Sequence, residues 1–162
     1  MARNYNVSLS RREADISIRL DDKRPVLKLE TEQIEAKKIG TLYYAVYSSI
    51  HKESSKLPWA GLMKGHVRTS GSLVMTDLAG EMGIQYRVHH FDALLNLVKG
   101  GAARAMLPCF MGDNCKGLKR LGEAVLFQPI WMLYHQQDKD VHHLVVARNW
   151  IRKLAMIHFK SA

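Results

Sequence analysis

The sequence predicts an α/β fold, in which strands and helices alternate along a chain of 162 residues. Short runs of β-branched and aromatic residues predict buried strands. Segments with apolar residues at helical spacing lie between several of these runs, which favours helices packed on a largely parallel sheet. Hydrophobic residues make up 47% of the chain, which is enough to form a core.

The first fifty residues are predicted to hold two clear strands. Residues 16–20 form a short β-branched run that ends in the polar loop 21–25, where Pro25 supplies no backbone N–H for a sheet. Residues 26–29 alternate imperfectly between apolar and polar side chains and predict at most a short edge strand. Residues 39–49 are dense in β-branched and aromatic side chains and predict a long buried strand.

The middle of the chain is predicted to form an alternating α/β lobe. Polar residues 51–58 mark the boundary before it. The predicted elements, in chain order, are a strand at 59–63, a helix at 73–82, a strand at 84–88, a helix at 91–99 and a strand at 103–107. The pair Gly100-Gly101 ends the second of these helices, because glycine is favoured just past a helix.

The last part of the chain is predicted to contain one strand, at residues 125–134, and one long helix. Residues 141–157 carry apolar side chains at near-helical spacing, which predicts a helix that closes the chain. The residues predicted to share its buried face are Leu144, Val145, Trp150, Ile151, Leu154 and Ile157.

Charge and cysteine content restrict the classes of partner. A formal net charge of +9 favours contact with anionic ligands or nucleic acid. The basic residues are scattered and are not interleaved with aromatic side chains, so a solvated basic surface is the favoured interpretation. No apolar run approaches the ~18 residues that cross a bilayer, and no signal peptide is visible. With only Cys109 and Cys115, the sequence predicts reduced thiols and a cytoplasmic location.

A resemblance to a known family rests first on residues 8–20, SLSRREADISIRL, in which a charged helical turn leads into a β-branched strand. This junction resembles the one inside the effector-binding domain of LysR-type transcriptional regulators. Further segments occur in the order and approximate spacing of that family, namely Pro25 and residues 40–49, 89–108, 109–113, 118–121 and 130–135. The resemblance therefore covers nearly the whole chain. It implies a two-lobed fold similar to type II periplasmic binding proteins, with a small-molecule effector in the cleft between the lobes.

The resemblance also implies a division of the chain and a truncated first lobe. Residues 1–50 would be a remnant of the first lobe, residues 51–130 the second lobe, and residues 131–162 a strand and helix that return to the first lobe. The family's helix-turn-helix, its linker helix, and the first strand and helix of lobe one have no counterpart here. We therefore expect DNA contact only through a helix-turn-helix domain absent from this chain, and no recognition of a DNA sequence by these residues.

One departure from the family pattern concerns Arg104. Family members usually carry glycine and an apolar residue where this chain has Ala103 and Arg104. Because a buried unpaired arginine is costly, we expect the Arg104 side chain to reach solvent, a carboxylate or a bound anion.

Candidate ligand-binding residues follow from the rule that ligands bind beyond the carboxyl ends of strands in open α/β sheets, where helix N-termini present N–H groups to anions. The resemblance selects the same positions. The predicted ligand-binding residues are Arg19, Leu20, His66, Thr69, His89, His90 and Phe91. Structural roles remain open at this point, because Arg19 could pair with Asp21 or Asp22 and His90 could cap its helix.

The sequence contains none of the commonest catalytic motifs and predicts no enzyme, no cofactor and no metal site. The pairs His89-His90 and His142-His143 do not form a metal site by themselves, because adjacent side chains on one helix or strand point apart. The first hypothesis is a non-enzymatic, ligand-sensing domain that binds a small anionic metabolite such as a carboxylate. The alternatives are a truncated interaction module or remnant without DNA binding or ligand response, and a small hydrolase or transferase without a recognisable motif.

Self-association is also predicted. A lobe without its first strand leaves the strand at 16–20 with an unpaired side and an uncovered apolar face, which a second copy of the chain could cover. We therefore expect a homo-oligomer in which residues 1–50 supply most of the contact. The alternative is that residues 1–15 fold back and cover the strand within one monomer.

Overall fold

The structure is a computed structural model that describes residue 9 and residues 12–20, 34–63 and 70–159. The chain divides into two compact units. The terminal unit comprises Met1–Leu42 and Gln128–Ala162, and the central unit comprises Tyr43–Phe127. The predicted assignment of residues 1–50, 51–130 and 131–162 to the lobes of an effector domain stays a prediction.

The described residues form six strands and four α-helices. The strands are β1 (Ile16–Leu20), β2 (Ile34–Ser49), β3 (Trp59–Leu62), β4 (Ile84–Val88), β5 (Arg104–Pro108) and β6 (Leu118–His135). The helices are α1 (Ser70–Ala79), α2 (Phe91–Lys99), α3 (Cys109–Gly112) and α4 (His142–His158). The hydrogen-bonded order of the strands is β1-β6-β2-β5-β3-β4, and β2 and β6 each run through both units. The α/β class predicted from the sequence is confirmed.

In the terminal unit, β1 pairs antiparallel with β6, and Ile18 lies opposite Met132. Because side chains alternate between the faces of a strand, Ile16, Ile18 and Leu20 share a face with the β6 residues opposite them. Tyr134, opposite Ile16, carries the guanidinium of Arg148 at 4.3 Å from its ring centre. Helix α4 therefore contacts this face at Tyr134, opposite Ile16, and leaves Ile18 and Leu20 exposed.

The start of the chain contacts the end of β6. Leu9 is fully buried, and its carbonyl oxygen lies 2.8 Å from Nε2 of His135. Arg12 forms an ion pair with Asp138 at 3.7 Å. Leu9 and Arg12 therefore lie against the end of β6 and the turn after it, and Ile18 remains 48% exposed on β1.

In the central unit, β3 is parallel to β4 and to β5, as the alternation of strands and helices predicts. The expectation of a largely parallel sheet is wrong at β2, which runs antiparallel to β5. Between β2 and β3 the chain contains only the short 3₁₀ turn Ser54–Lys56, so it reverses direction without a crossover helix. One core cluster of this unit consists of the buried residues Ala45, Tyr47, Ala60, Leu94, Val98, Ala103, Ala105 and Leu107.

Most of the predicted elements are confirmed, several at the same residues. The predicted bounds of β1, β4 and α2 are correct. Two strands are longer than predicted, because β2 already begins at Ile34 and β6 already begins at Leu118. Gly122 on β6 has φ +80°, a conformation that favours glycine and interrupts the alternation of the strand. The predicted edge strand at residues 26–29 lies outside the described residues.

The predicted buried face of α4 is wrong at two residues. Trp150 is 63% exposed and Ile157 is 72% exposed. The buried residues of the helix are Leu144, Arg148 and Ala155, which recur at helical spacing. Because an arginine occupies the centre of the buried face, apolar periodicity alone extends the predicted face to Trp150 and Ile157, which are exposed.

None of the helices in the described part of the chain is long and apolar enough to span a membrane.

Candidate functional site

The carboxyl ends of β3, β4 and β5 lie at one edge of the central unit because the three strands are parallel. The residues that follow these strands form what we term the carboxyl edge. They are Met63, His89, His90, Phe91, Cys109 and Phe110. The backbone N–H of Met63 donates to the carbonyl of Val88 over 2.7 Å, which holds the ends of β3 and β4 together. This is the edge at which α/β sheets bind ligands.

His89 and His90 are both exposed at the carboxyl edge, and their ring centres lie 6.3 Å apart. His90 is the residue before α2, and its side chain makes no capping hydrogen bond to the helix. Its imidazole is therefore available to a ligand beside the N–H groups of the first turn of α2. Asp92 lies in the same turn and places a carboxylate near this helix end.

Phe91 begins α2 and packs near a buried tyrosine of β2. The ring centres of Phe91 and Tyr44 are 6.5 Å apart, and Tyr44 pairs with Pro108 at the end of β5. Burial raises the pKa of Tyr44 to about 12. The Tyr44 hydroxyl therefore keeps its proton at neutral pH and behaves as a neutral donor.

The last strand end of the carboxyl edge is fixed by a buried tyrosine. The hydroxyl of Tyr47 donates to Oδ1 of Asp113 over 2.6 Å, just after α3. Burial raises the pKa of Tyr47 well above its usual range, and its hydrogen bonds to Asp113 and to the Cys109 thiol act in the same direction. Gly112 lies against the Tyr47 ring, where a Cβ would come within 2.4 Å of Cζ. These contacts define the position of α3.

The remaining predicted site residues do not all lie at this edge. Arg19 and Leu20 are at the end of β1 in the terminal unit, and the Nε of Arg19 donates to Oγ of Ser17 over 3.5 Å. Its alternative partners Asp21 and Asp22 lie outside the described residues, as do His66 and Thr69. The structure therefore groups His89, His90 and Phe91, and the predicted ligand-binding role of all seven residues stays a prediction.

Arg104 stacks on an aromatic ring. Its guanidinium lies 4.4 Å from the centre of the Trp59 ring, a cation–π contact, and Nη2 lies 3.7 Å from Sδ of Met82. Its Nε is buried without a hydrogen-bond partner. From the sequence, Arg104 is expected to reach solvent, a carboxylate or a bound anion. The structure instead covers its guanidinium with the Trp59 ring.

A charged cluster in the terminal unit surrounds Tyr134. The Tyr134 hydroxyl donates to Oε2 of Glu35 over 2.8 Å, and Nζ of Lys37 lies 3.3 Å from the same oxygen. The hydrogen bond from Tyr134, followed by that from Lys37, lowers the pKa of Glu35. Arg148 covers the Tyr134 ring and donates to the carbonyl oxygens of Asp138 and Lys139. The cluster anchors α4 on β6.

Among the described side chains, no three histidine, cysteine, aspartate or glutamate residues lie together in a way that could hold a metal ion.

Sequence reasoning missed Tyr44, Cys109 and the Tyr47–Asp113 pair at the carboxyl edge. Composition predicts that Tyr44 and Tyr47 lie in a buried strand, but it does not predict which group their hydroxyls contact. Tyr47 and Asp113 are separated by 66 positions in the chain. The only usable signal was the rule on strand ends, which applies to Cys109 after β5 as it does to His89 after β4.

No family model and no curated protein matches the chain. The fold, in contrast, matches many solved structures. The effector domain of the transcriptional regulator AmpR of Pseudomonas aeruginosa superposes with a TM-score of 0.66 at 13% identity, over 98% of this chain and 79% of that domain. The regulatory domain of CrgA, a LysR-type regulator from Neisseria meningitidis, gives a TM-score of 0.66 at 17% identity, over 93% and 80%.

CbnR, described as a LysR family transcriptional regulator, matches with a TM-score of 0.56 at 14% identity. That match covers 79% of this chain and 48% of CbnR, so the chain spans about half the length of that regulator. The chain therefore has the fold of the effector domains of LysR-type regulators, and the resemblance predicted from the sequence is confirmed at the level of the fold.

Proposed function

We propose that the chain is the ligand-sensing domain of a LysR-type transcriptional regulator and that it binds a small anionic metabolite, such as a carboxylate. The observation that carries this proposal is the likeness to the AmpR effector domain over 98% of the chain. The neighbours found are domains of transcriptional regulators, which supports a non-enzymatic role. A cytoplasmic location agrees with the free thiols of Cys109 and Cys115.

The carboxyl edge of the central unit is the proposed contact for the anion. The first turn of α2 offers backbone N–H groups and the positive end of the helix dipole, and the His89 and His90 imidazoles flank it. Asp92 opposes an anion at this place, so the histidines must supply part of the attraction. Arg19, in the terminal unit, is proposed as a ligand contact in its own right, because a guanidinium binds a carboxylate through paired hydrogen bonds.

Thermal unfolding in the presence of small mono- and dicarboxylates tests the proposal. A carboxylate present at ~100 times its dissociation constant is expected to add about 2.7 kcal/mol to the free energy of unfolding. Matched neutral amides of the same acids serve as controls, since they have the same shape without the charge. A response to the amides equal to that of the acids would contradict an anionic effector.

Single substitutions then locate the contact by calorimetry with any carboxylate that binds. Arg19→Ala and His90→Ala are each expected to weaken binding about tenfold or more, because each removes a charge-assisted or polar contact without touching the core. Arg152→Ala and His143→Ala, at exposed positions of α4, are the matched controls. Unchanged affinity in Arg19→Ala or in His90→Ala would reject that residue as a contact.

We also propose that a second copy of the chain pairs with β1. Among the described strands β1 lies at the end of the sheet, with Leu20 47% exposed. An antiparallel pairing centred on Ile18 would place Ile16 opposite Leu20 and Ser17 opposite Arg19. Apolar side chains would then face each other on one side of the strand pair, and polar side chains on the other. Light scattering at micromolar concentration should give a dimeric mass that Ile18→Lys converts to a monomer. A monomeric mass for the unmodified chain would support the folded-back N-terminal segment instead.

A further inference from the structure

The turns at the end of the central unit opposite the carboxyl edge carry a concentration of lysines. Because β2 runs antiparallel to β5, the end of β2 lies beside the start of β5, away from the residues that follow β4 and β5. Three segments supply side chains here, namely residues 50–56 after β2, residues 99–103 at the end of α2 and beyond it, and residues 115–120 around the start of β6.

Direct contacts hold these three segments together. The backbone N–H of Ile50 donates to the carbonyl of Gly117 over 3.0 Å. Nζ of Lys119 donates to the carbonyl of Lys52 over 3.1 Å. A Cβ on Gly101 would lie 2.9 Å from Cγ of Lys52, so the segment after α2 touches the same side chain. We term this surface the basic end and define it by Lys52, Lys99, Lys116 and Lys119.

The charges of the basic end are not neutralised by the carboxylates close to it. Glu53 is engaged by Lys56 at 2.5 Å, and Asp113 accepts from Tyr47 and lies 4.0 Å from Arg120. Within the described residues, no ion pair involves any of the four lysines. Three of them are exposed, and Lys119 is partly exposed. The surface therefore presents a local positive potential rather than a balanced mixture of charges.

We propose that the basic end contacts the phosphate backbone of duplex DNA without reading its sequence. A lysine carries a compact charge on a flexible side chain, so lysines on turns can reach phosphates that are spaced along a duplex. The three segments contain no Phe, Tyr or Trp on which the bases of a single strand could stack. They also lack the apolar centre of a protein interface, since Ile50 is their one exposed large apolar side chain. The choice of DNA over other phosphate polymers rests on the proposed function, because a sensor domain of a DNA-binding regulator works beside DNA.

A backbone contact of this kind adds affinity without specificity. It agrees with the absence of a recognition helix in the sequence, because lysines that meet phosphates do not touch base edges. It differs from the expectation that DNA is contacted only through a helix-turn-helix domain.

Fluorescence anisotropy with a labelled 25-base-pair DNA duplex of arbitrary sequence tests the proposal. Four phosphate contacts predict that the logarithm of the association constant falls with the logarithm of the salt concentration at a slope of about −3.6. The affinity should therefore fall about 100-fold between 50 and 200 mM salt. The double variant Lys52→Glu/Lys116→Glu removes two contacts and should bring the slope to about −1.8. Lys119 is left intact because it bonds to the Lys52 carbonyl.

The matched control is Arg152→Glu/Lys153→Glu on the exposed side of α4. Each double variant exchanges two positive charges for two negative ones and so lowers the formal net charge from +9 to +5. The control is expected to keep the wild-type slope. Equal loss in both variants would show that only the overall charge matters and would overturn the proposal.

An RNA duplex of the same length forms the second arm of the experiment. Binding of the RNA duplex as tightly as the DNA duplex would overturn the assignment to DNA. No effector is present in these titrations and no DNA is present in the carboxylate titrations, so failure of the DNA contact and failure of the ligand-sensing function are observed separately. Circular dichroism of each variant verifies that it is folded.

Discussion

Gly112→Ala is expected to lower the free energy of unfolding by about 3 kcal/mol or more, which is at the upper end for overpacking a core. The new methyl group would lie 2.4 to 2.6 Å from three carbon atoms of the Tyr47 ring. Tyr47 is fully buried and its hydroxyl is held by Asp113, so the ring cannot move aside without breaking that bond. Denaturant unfolding measures the change.

The control for this substitution is Gly100→Ala, at a glycine with ordinary helical angles after α2. There the nearest atom to a Cβ is the Asn96 carbonyl oxygen at 3.3 Å, and we expect a change of less than about 1 kcal/mol. Combining Gly112→Ala with Tyr47→Leu should cost less than the sum of the two single changes, because the shorter side chain leaves room for the methyl group. Additive costs would contradict a direct clash.

Arg148→Ala is expected to lower the free energy of unfolding by about 3 kcal/mol. The substitution removes the packing of the buried side chain together with all of its polar contacts. The guanidinium covers the Tyr134 ring at 4.3 Å and donates to two carbonyl oxygens, one of them that of Asp138 at 3.2 Å. Removal leaves both carbonyls without this donor and uncovers the ring. Thermal or denaturant unfolding gives the size of the effect.

Two further substitutions make this prediction specific. Arg148→Lys should recover less than half of the loss, because an ammonium cannot lie flat on Tyr134 while it donates to two carbonyls. Arg152 lies one turn after Arg148, and its side chain is exposed. Arg152→Ala should therefore change the free energy of unfolding by less than about 0.5 kcal/mol. Full recovery by lysine would show that charge alone, and not the planar group, stabilises the helix.

The two predictions concern different parts of the proposed sensor. Gly112 and Tyr47 position α3 at the carboxyl edge, where the effector contact is proposed. Arg148 fixes α4 on the terminal unit, in which Arg19 lies. A loss of carboxylate affinity in Gly112→Ala, at a temperature where the variant remains folded, would be the effect of a displaced α3 on the proposed site.

Local patterns were sufficient to predict the alternating core of the central unit. The strand at Ile84–Val88 and the helix at Phe91–Lys99 were predicted at the residues where they occur. Each has a clear period and a clear end, with His89 and His90 after the strand and glycines after the helix. Periodicity reports which side of an element is apolar, and in this unit the apolar side is the buried one.

The same reasoning failed where a polar residue is buried or a glycine interrupts a strand. Arg148 occupies the buried side of α4, so Trp150 and Ile157 were assigned to the wrong face. In β6 the residues before 125 include Gly122 at positive φ and several charged side chains, which hide the strand from an alternation pattern. The ring of Tyr134 and the carbonyls of Asp138 and Lys139 make the burial of Arg148 possible, and helical periodicity does not report such partners.

The sequence by itself determined the α/β class, the order of the elements, the family resemblance that the fold confirms, and the placement of His89, His90 and Phe91 after a strand. Only the tertiary structure decided that Tyr47 reaches Asp113, that Arg104 stacks on Trp59, and that Lys119 donates to the carbonyl of Lys52. The physical reason is that strand and helix propensities depend on neighbouring residues, whereas the partner of a buried hydroxyl, a guanidinium or a lysine is set by segments that folding brings together from distant positions.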